Sequence, residues 1–233
     1  MNDWYPQNKE ELNSILNELL KEKSKEENKN IHGLIVPHAG YAYSGKIAGK
    51  AFSLLKNNKN KKAVVIAPSH YVTFRGIASL NKIETPLGEM KTIDNDFPKL
   101  KYEHAIDNQI PFLQKLNFQQ VLPLVIGEIN NEQAENIAKI ISNINAIYIF
   151  STDLSHFLPY EQAVKKDRET MKIIENLDLK NFNKIDACGK FPLLIFMHLC
   201  KIKKFKPKLI EYKNSGDIIG DKTSVVGYAG FWF

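Results

Sequence analysis

Ala63-Val64-Val65-Ile66-Ala67-Pro68-Ser69-His70 is the stretch on which the fold turns, five apolar residues in unbroken succession closed by proline, serine and histidine. A strand with one wet face alternates apolar and polar residues, whereas an unbroken apolar run reads as a strand covered on both faces, as in a parallel sheet between helices. The same grammar recurs on either side. Residues 31–37 form a short apolar run that ends in Pro37-His38, followed by Ala39-Gly40-Tyr41-Ala42-Tyr43-Ser44-Gly45. Beyond that loop Ile47, Ala48, Ala51, Phe52, Leu54 and Leu55 fall at helical spacing. Residues 121–126 (VLPLVI) and 146–150 (AIYIF) give third and fourth core strands, the latter emptying into Ser151-Thr152-Asp153-Leu154-Ser155-His156.

Between these runs the periodicity predicts helices over 8–23, 112–116, 133–144, 161–177 and 191–203, with a polar stretch at 22–30. Residues 77–93 read as a β-excursion turning at 85–88, and 208–212 and 224–233 as closing strands. Strands and helices alternate without repeats or a linker. The expectation is one α/β domain over residues 1–233, with a mostly parallel central sheet flanked by helices.

Composition narrows the function classes. The chain has 233 residues, no run of about 18 apolar residues and no basic-then-apolar start, so a soluble cytoplasmic protein without a membrane partner is expected. Cys188 and Cys200 are too few for a disulfide framework and lack zinc-site spacing, so they read as buried or idle thiols. The net charge of +6 raises nucleic acid as a partner, but only Arg75 and Arg168 among the 32 basic residues are arginines. Base readout and stacking favour arginine and clustered aromatics, and no nucleic-acid partner is expected. Phosphate-loop, dinucleotide, nucleophile-elbow and HExxH motifs are absent.

Chemistry concentrates at strand ends. His38, His70 and His156 each follow an apolar strand within a few residues, and in open α/β sheets ligands bind outside the carboxyl ends of strands. Neutral imidazole is the commonest side-chain metal ligand, which makes His38 and His70 candidates for one centre. The competing reading of each is a hydrogen-bonded loop histidine. Asp153, three residues before His156, suits an acid/base role or a carboxylate orienting an imidazole, against the alternative of a helix cap. Asn214 to Asp221 forms a glycine-punctuated polar loop that offers a carboxylate or is simply a turn, and His32 and His198 read as packing residues.

Trp4-Tyr5-Pro6, PHAGYAYSG at 37–45, APSHYV at 67–72, TPLG at 85–88, EHAIDNQIPFLQ at 103–114, STDLSHF at 151–157, DACGKFP at 186–192 and SVVGYAG at 224–230 follow in order the pattern of the Memo family, which includes protein B of the AmmeMemoRadiSam system. This resemblance covers nearly the whole chain. It implies an architecture like that of the LigB-like class III extradiol dioxygenases, non-haem iron enzymes that open catechol rings. Matched by motif, His38 and His70 correspond to the metal histidines, His156 to the acid/base histidine, and Asp153, Trp4 and Tyr43 to other pocket residues. The chain departs from animal relatives at the third ligand, where Ile218 stands in place of a cysteine; Asp217 next to it is the expected substitute, giving a two-histidine, one-carboxylate set suited to Fe(II).

The resemblance thus implies an Fe(II) protein, with zinc or copper as alternatives, acting on a small aromatic or chelating substrate as a dioxygenase-like oxidoreductase. Two other readings stay open: a non-catalytic module that recognises a peptide or partner protein, and zinc-dependent hydrolysis. By family association the expected partners are a radical-SAM enzyme and an AMMECR1-like protein.

Overall fold

The computed structural model describes residues 4–21 and 30–233. The polar stretch read at 22–30 and the last turn of the helix read at 8–23 lie, apart from Lys21 and Asn30, outside these residues. Helix α1 (Lys9–Leu19) starts where the Asn8 side chain accepts from the Glu10 and Glu11 N–H groups, and it buries the stripe Leu12, Leu16 and Leu19.

The elements that follow are β1 (Gly33–Val36), α2 (Tyr41–Ser53), β2 (Lys62–Pro68), β3 (Ile77–Leu80), the small hairpin β4 (Glu84–Thr85) and β5 (Gly88–Glu89), β6 (Lys99–Leu100), α3 (His104–Asp107), α4 (Ile110–Lys115), β7 (Gln120–Ile126), α5 (Asn131–Ser142), β8 (Ile147–Ser151), α6 (Tyr160–Glu175), α7 (Lys190–Lys203), β9 (Lys208–Asn214), α8 (Ser215–Ile219) and β10 (Gly227–Trp232). Eight strands form one sheet in the order β6-β3-β7-β2-β8-β1-β10-β9. Its centre, β7-β2-β8-β1, is parallel throughout, while β10 and β9 extend it antiparallel on one side and β3 pairs antiparallel with β7 on the other.

The unbroken apolar runs have the predicted cause. Along β2, Val65 and Ala67 face the layer built by α1, α2 and α4, whereas Val64 and Ile66 face the layer built by α5 and α7. With both faces of the sheet covered, polar residues have no place in its central strands. Among the described residues no helix is long and apolar enough to cross a membrane.

Two segments escaped the periodicity. Residues 104–107 make a single turn, α3, capped by the Glu103 carboxylate accepting from the Ala105 N–H. The loop read at 214–221 begins with another one-turn helix, α8, whose Asn214 and Asp217 form a reciprocal capping box. Elements this short carry no period; side-chain capping defines them.

Candidate metal centre

Strands β2, β8 and β1 are adjacent and parallel, so their carboxyl ends open on one edge of the sheet. His70 lies two residues beyond β2, His38 two residues beyond β1, and β8 ends between them in Ser151. The ring centroids of His38 and His70 are 5.1 Å apart, and His104, at the start of α3, packs against both at 5.4 and 4.4 Å. Asn108 and Gln109 of the same segment fix the β1 loop by donating to the His38 and Pro37 carbonyls.

Hydrogen bonding sets the tautomer of each candidate ligand. Ser151 spends its hydroxyl proton on the Ala105 carbonyl at 2.7 Å, so toward His38 Nδ1, at 2.9 Å, it can only accept. The proton of neutral His38 therefore sits on Nδ1 and the lone pair on Nε2. Burial, reinforced by the neighbouring His70 and His104, holds the His38 pKa well below its usual value and keeps the ring neutral. At His70 the Glu103 carboxylate accepts from Nδ1 at 2.9 Å and from the backbone N–H at 2.7 Å, which again leaves Nε2 for a ligand. Carboxylate-oriented imidazole of this kind is the usual support of a metal-bound histidine.

Glu103 is itself buried, and its Oε1 also lies 3.1 Å from His104 Nδ1. Burial pushes its pKa up, but the neighbouring His104 ring and the bonds from His70 and the Ala105 backbone outweigh it and bring the value down to about 2. The charge at the heart of the cluster is thus permanent at neutral pH.

The third donor is Cys188, just before α7. Its sulfur turns inward, 3.2 Å from His38 Nε2, and accepts from the Asp153 N–H at 3.2 Å. Ligand atoms of His38, His70 and Cys188 all lie within 4.8 Å of one another, a spacing one ion can span with bonds of about 2.0–2.3 Å. Burial first, and then the Asp153 charge, push the Cys188 thiol up to about 12, so binding a cation there displaces a proton. A second cluster, His70, Glu103 and His104, gathers around the Glu103 carboxylate, which is hydrogen-bonded to His70 and lies 3.1 Å from His104 Nδ1, and it supports the first.

Gly189 makes this approach feasible. Its N–H donates to Thr152 Oγ1 at 2.9 Å, and a Cβ placed on it would stand 2.5 Å from the Thr152 side chain. Gly189→Ala is therefore expected to lower the melting temperature by about 4 °C, the effect of an overpacking cost of about 1–3 kcal/mol in a chain of this size. It should also reduce metal retention, because Cys188 moves with the displaced turn. Calorimetry and metal analysis on the same preparation check both.

Of the residues singled out in the sequence, the structure brings His38, His70 and Asp153 together. Asp153 holds the His38 backbone N–H at 2.8 Å, and its Oδ2 is 4.0 Å from His38 Nε2. His156 is half-buried beyond it and perturbs the charge of both residues. Asp217 does not join them. Its Oδ1 accepts from the Tyr160 hydroxyl at 2.7 Å and its Oδ2 from the Asn214 N–H at 3.0 Å, so the expected carboxylate ligand is used up in capping α8. Ile218 is exposed. The donor that does lie beside the two histidines is Cys188; the strand-end rule could not select it, because it precedes a helix.

Trp4 stacks on His104 at 4.4 Å and, with Tyr43, lines a cleft of about 580 Å³ completed by Ala39, Gly40, Phe157, Ile219 and Tyr228, among others. The two residues expected in a substrate pocket thus share one cavity, beside the His38 loop.

Comparison with known proteins agrees in extent. A family model described as "Memo-like protein" matches residues 2–232. The chain is similar to a "MEMO1 family protein" of Archaeoglobus fulgidus, 31% identical over 99% of this chain and 96% of the relative. Another of that description, from Aquifex aeolicus, is 31% identical with the same coverage, and one from Sulfurisphaera tokodaii is 34% identical over 85% of this chain and 81% of the relative.

Proposed function

The chain belongs to the Memo-like family, and we propose that it is a non-haem metal-binding redox protein whose ion is held by His38, His70 and Cys188. The observation that carries this reading is the convergence of three donor atoms, with both imidazoles locked in the tautomer that presents Nε2. Iron is the ion we propose, and the thiolate makes copper the alternative. Such an ion, when bound, supplies one-electron chemistry and an electrophilic site for a small aromatic or chelating substrate and O₂.

The chain's own residues do the rest. Trp4 and Tyr43 offer ring faces to the substrate in the cleft. Glu103 keeps the proton of His70 on Nδ1. Burial lifts the Asp153 carboxyl above the usual carboxylate range, against the pull of the His38 N–H and of His156, which suits it to hold a proton beside the site. His156 is the acid/base that passes a proton to the substrate, and Asp153 tunes it.

Anaerobic purification with Fe(II) tests this reading. About one iron per chain is expected in the wild type and almost none in the His38→Ala, His70→Ala variant, since two of the three ligands are gone. Equal iron content in the two proteins contradicts it.

A further inference from the structure

Phe157 occupies the left-handed region of backbone space, with φ of 58°, where a bulky side chain is strained. The conformation is imposed by the chain on both sides. Before it, Leu154 N–H donates to the Gly227 carbonyl at 2.8 Å, Gly227 N–H to Ser155 at 2.9 Å, and Ser155 N–H to the buried Asp167 carboxylate at 2.9 Å. After it, Val225 N–H donates to the Leu158 carbonyl at 2.9 Å and Tyr160 N–H to the Lys222 carbonyl at 3.1 Å. Glycine satisfies such a backbone without strain, yet a phenyl ring stands here with 74% of the residue exposed. With so much of the residue exposed, burial against the described residues offsets little of the strain.

The ring lines the cleft with Trp4, Tyr43 and Tyr228, and its centroid is 5.7 Å from that of His156. Among the described residues, none lining this cleft carries a charge, although the chain has 32 basic and 26 acidic side chains. The polar groups available are hydroxyls, those of Ser215, Ser224 and the tyrosines. An anionic ligand would lose its water against this lining without gaining a counter-charge from it, whereas a flat uncharged ring meets stacking surfaces.

We propose that Phe157 is the specificity-determining side chain of this cleft, clamping the face of an uncharged aromatic ligand and making the site select against anionic, phosphorylated ones. Unlike Lys204, whose left-handed backbone caps α7, Phe157 carries its strain at a position where its ring lines the cleft. The inference rests on the reading of the cleft as the substrate side of the metal centre, and its test uses a ligand that does not chelate, so the two can fail separately.

The probe is 2-naphthol, titrated by fluorescence into the full-length protein, with 2-naphthyl phosphate as the charged counterpart. Wild type is expected to bind 2-naphthol at least about tenfold more tightly than the phosphate, and Phe157→Gly to weaken 2-naphthol binding about tenfold. Because the glycine relieves the strain, the melting temperature should hold or rise by about 2 °C. Phe157→Trp should retain binding. Equal affinity for the two probes, wild-type affinity in Phe157→Gly, or a lowered melting temperature in that variant overturns the proposal. Iron content of the same proteins reports on the metal centre independently: iron missing from wild type contradicts the metal reading and leaves the naphthol result standing.

Discussion

Glu103→Ala is expected to lower stability by about 3–5 kcal/mol, as removal of one partner from a buried charged network does. The side chain is 1% exposed and accepts from the His70 backbone, His70 Nδ1 and the Ala105 backbone, with His104 Nδ1 3.1 Å away. Alanine leaves these donors facing one another around a void. A fall in melting temperature of about 10 °C follows for a chain of this length. Metal affinity should drop about 10- to 100-fold, because His70 loses the group that fixes its proton on Nδ1. Glu103→Gln separates the two effects. The amide fills the space and spares much of the stability, but it presents an N–H group where the structure needs an acceptor, so the loss of metal affinity should persist. A melting temperature and iron content unchanged in Glu103→Ala would refute this account of the cluster.

Cys188→Ala is expected to weaken metal binding by more than about 100-fold, the upper range for residues that only orient a ligand, while Asp217→Asn leaves it unchanged. A carboxylate and a thiolate can each ligate a metal; geometry separates the two residues. Cys188 Sγ is 3.2 Å from His38 Nε2, whereas both Asp217 oxygens are engaged by Tyr160 and Asn214. Asp217→Asn should instead cost about 1 kcal/mol through the capping box and the Tyr160 contact. Competition with a chromophoric chelator measures the affinities, and calorimetry the stabilities. Loss of metal in Asp217→Asn with retention in Cys188→Ala would reverse the assignment.

Much of this architecture was legible in the sequence because parallel strands covered on both faces leave an unmistakable record, as in 63–67 and 146–150. The placement of His38 and His70 at one sheet edge followed from the same rule, and their motifs agreed with it. The third ligand we propose was not legible. Ile218 marked a missing cysteine and drew attention to its neighbour, but the identity of residue 217 says nothing about the hydrogen bonds that consume it. Cys188 reaches the site because Gly189 lets the turn before α7 press against Thr152, a close approach visible only in three dimensions. Glu103 and His104 were visible as polar residues in the block at 103–114, but their place around His70 was not, since a four-residue helix has no periodicity and its role depends on α3 packing against the loops after β1 and β2.

X-ray absorption at the iron edge of the reconstituted protein tests the three-residue centre most directly. The account predicts a first shell of imidazole nitrogens at about 2.0–2.1 Å with one sulfur at about 2.3 Å, and loss of the sulfur in Cys188→Ser. A shell without sulfur in the wild type, or one whose sulfur survives in Cys188→Ser, would contradict it.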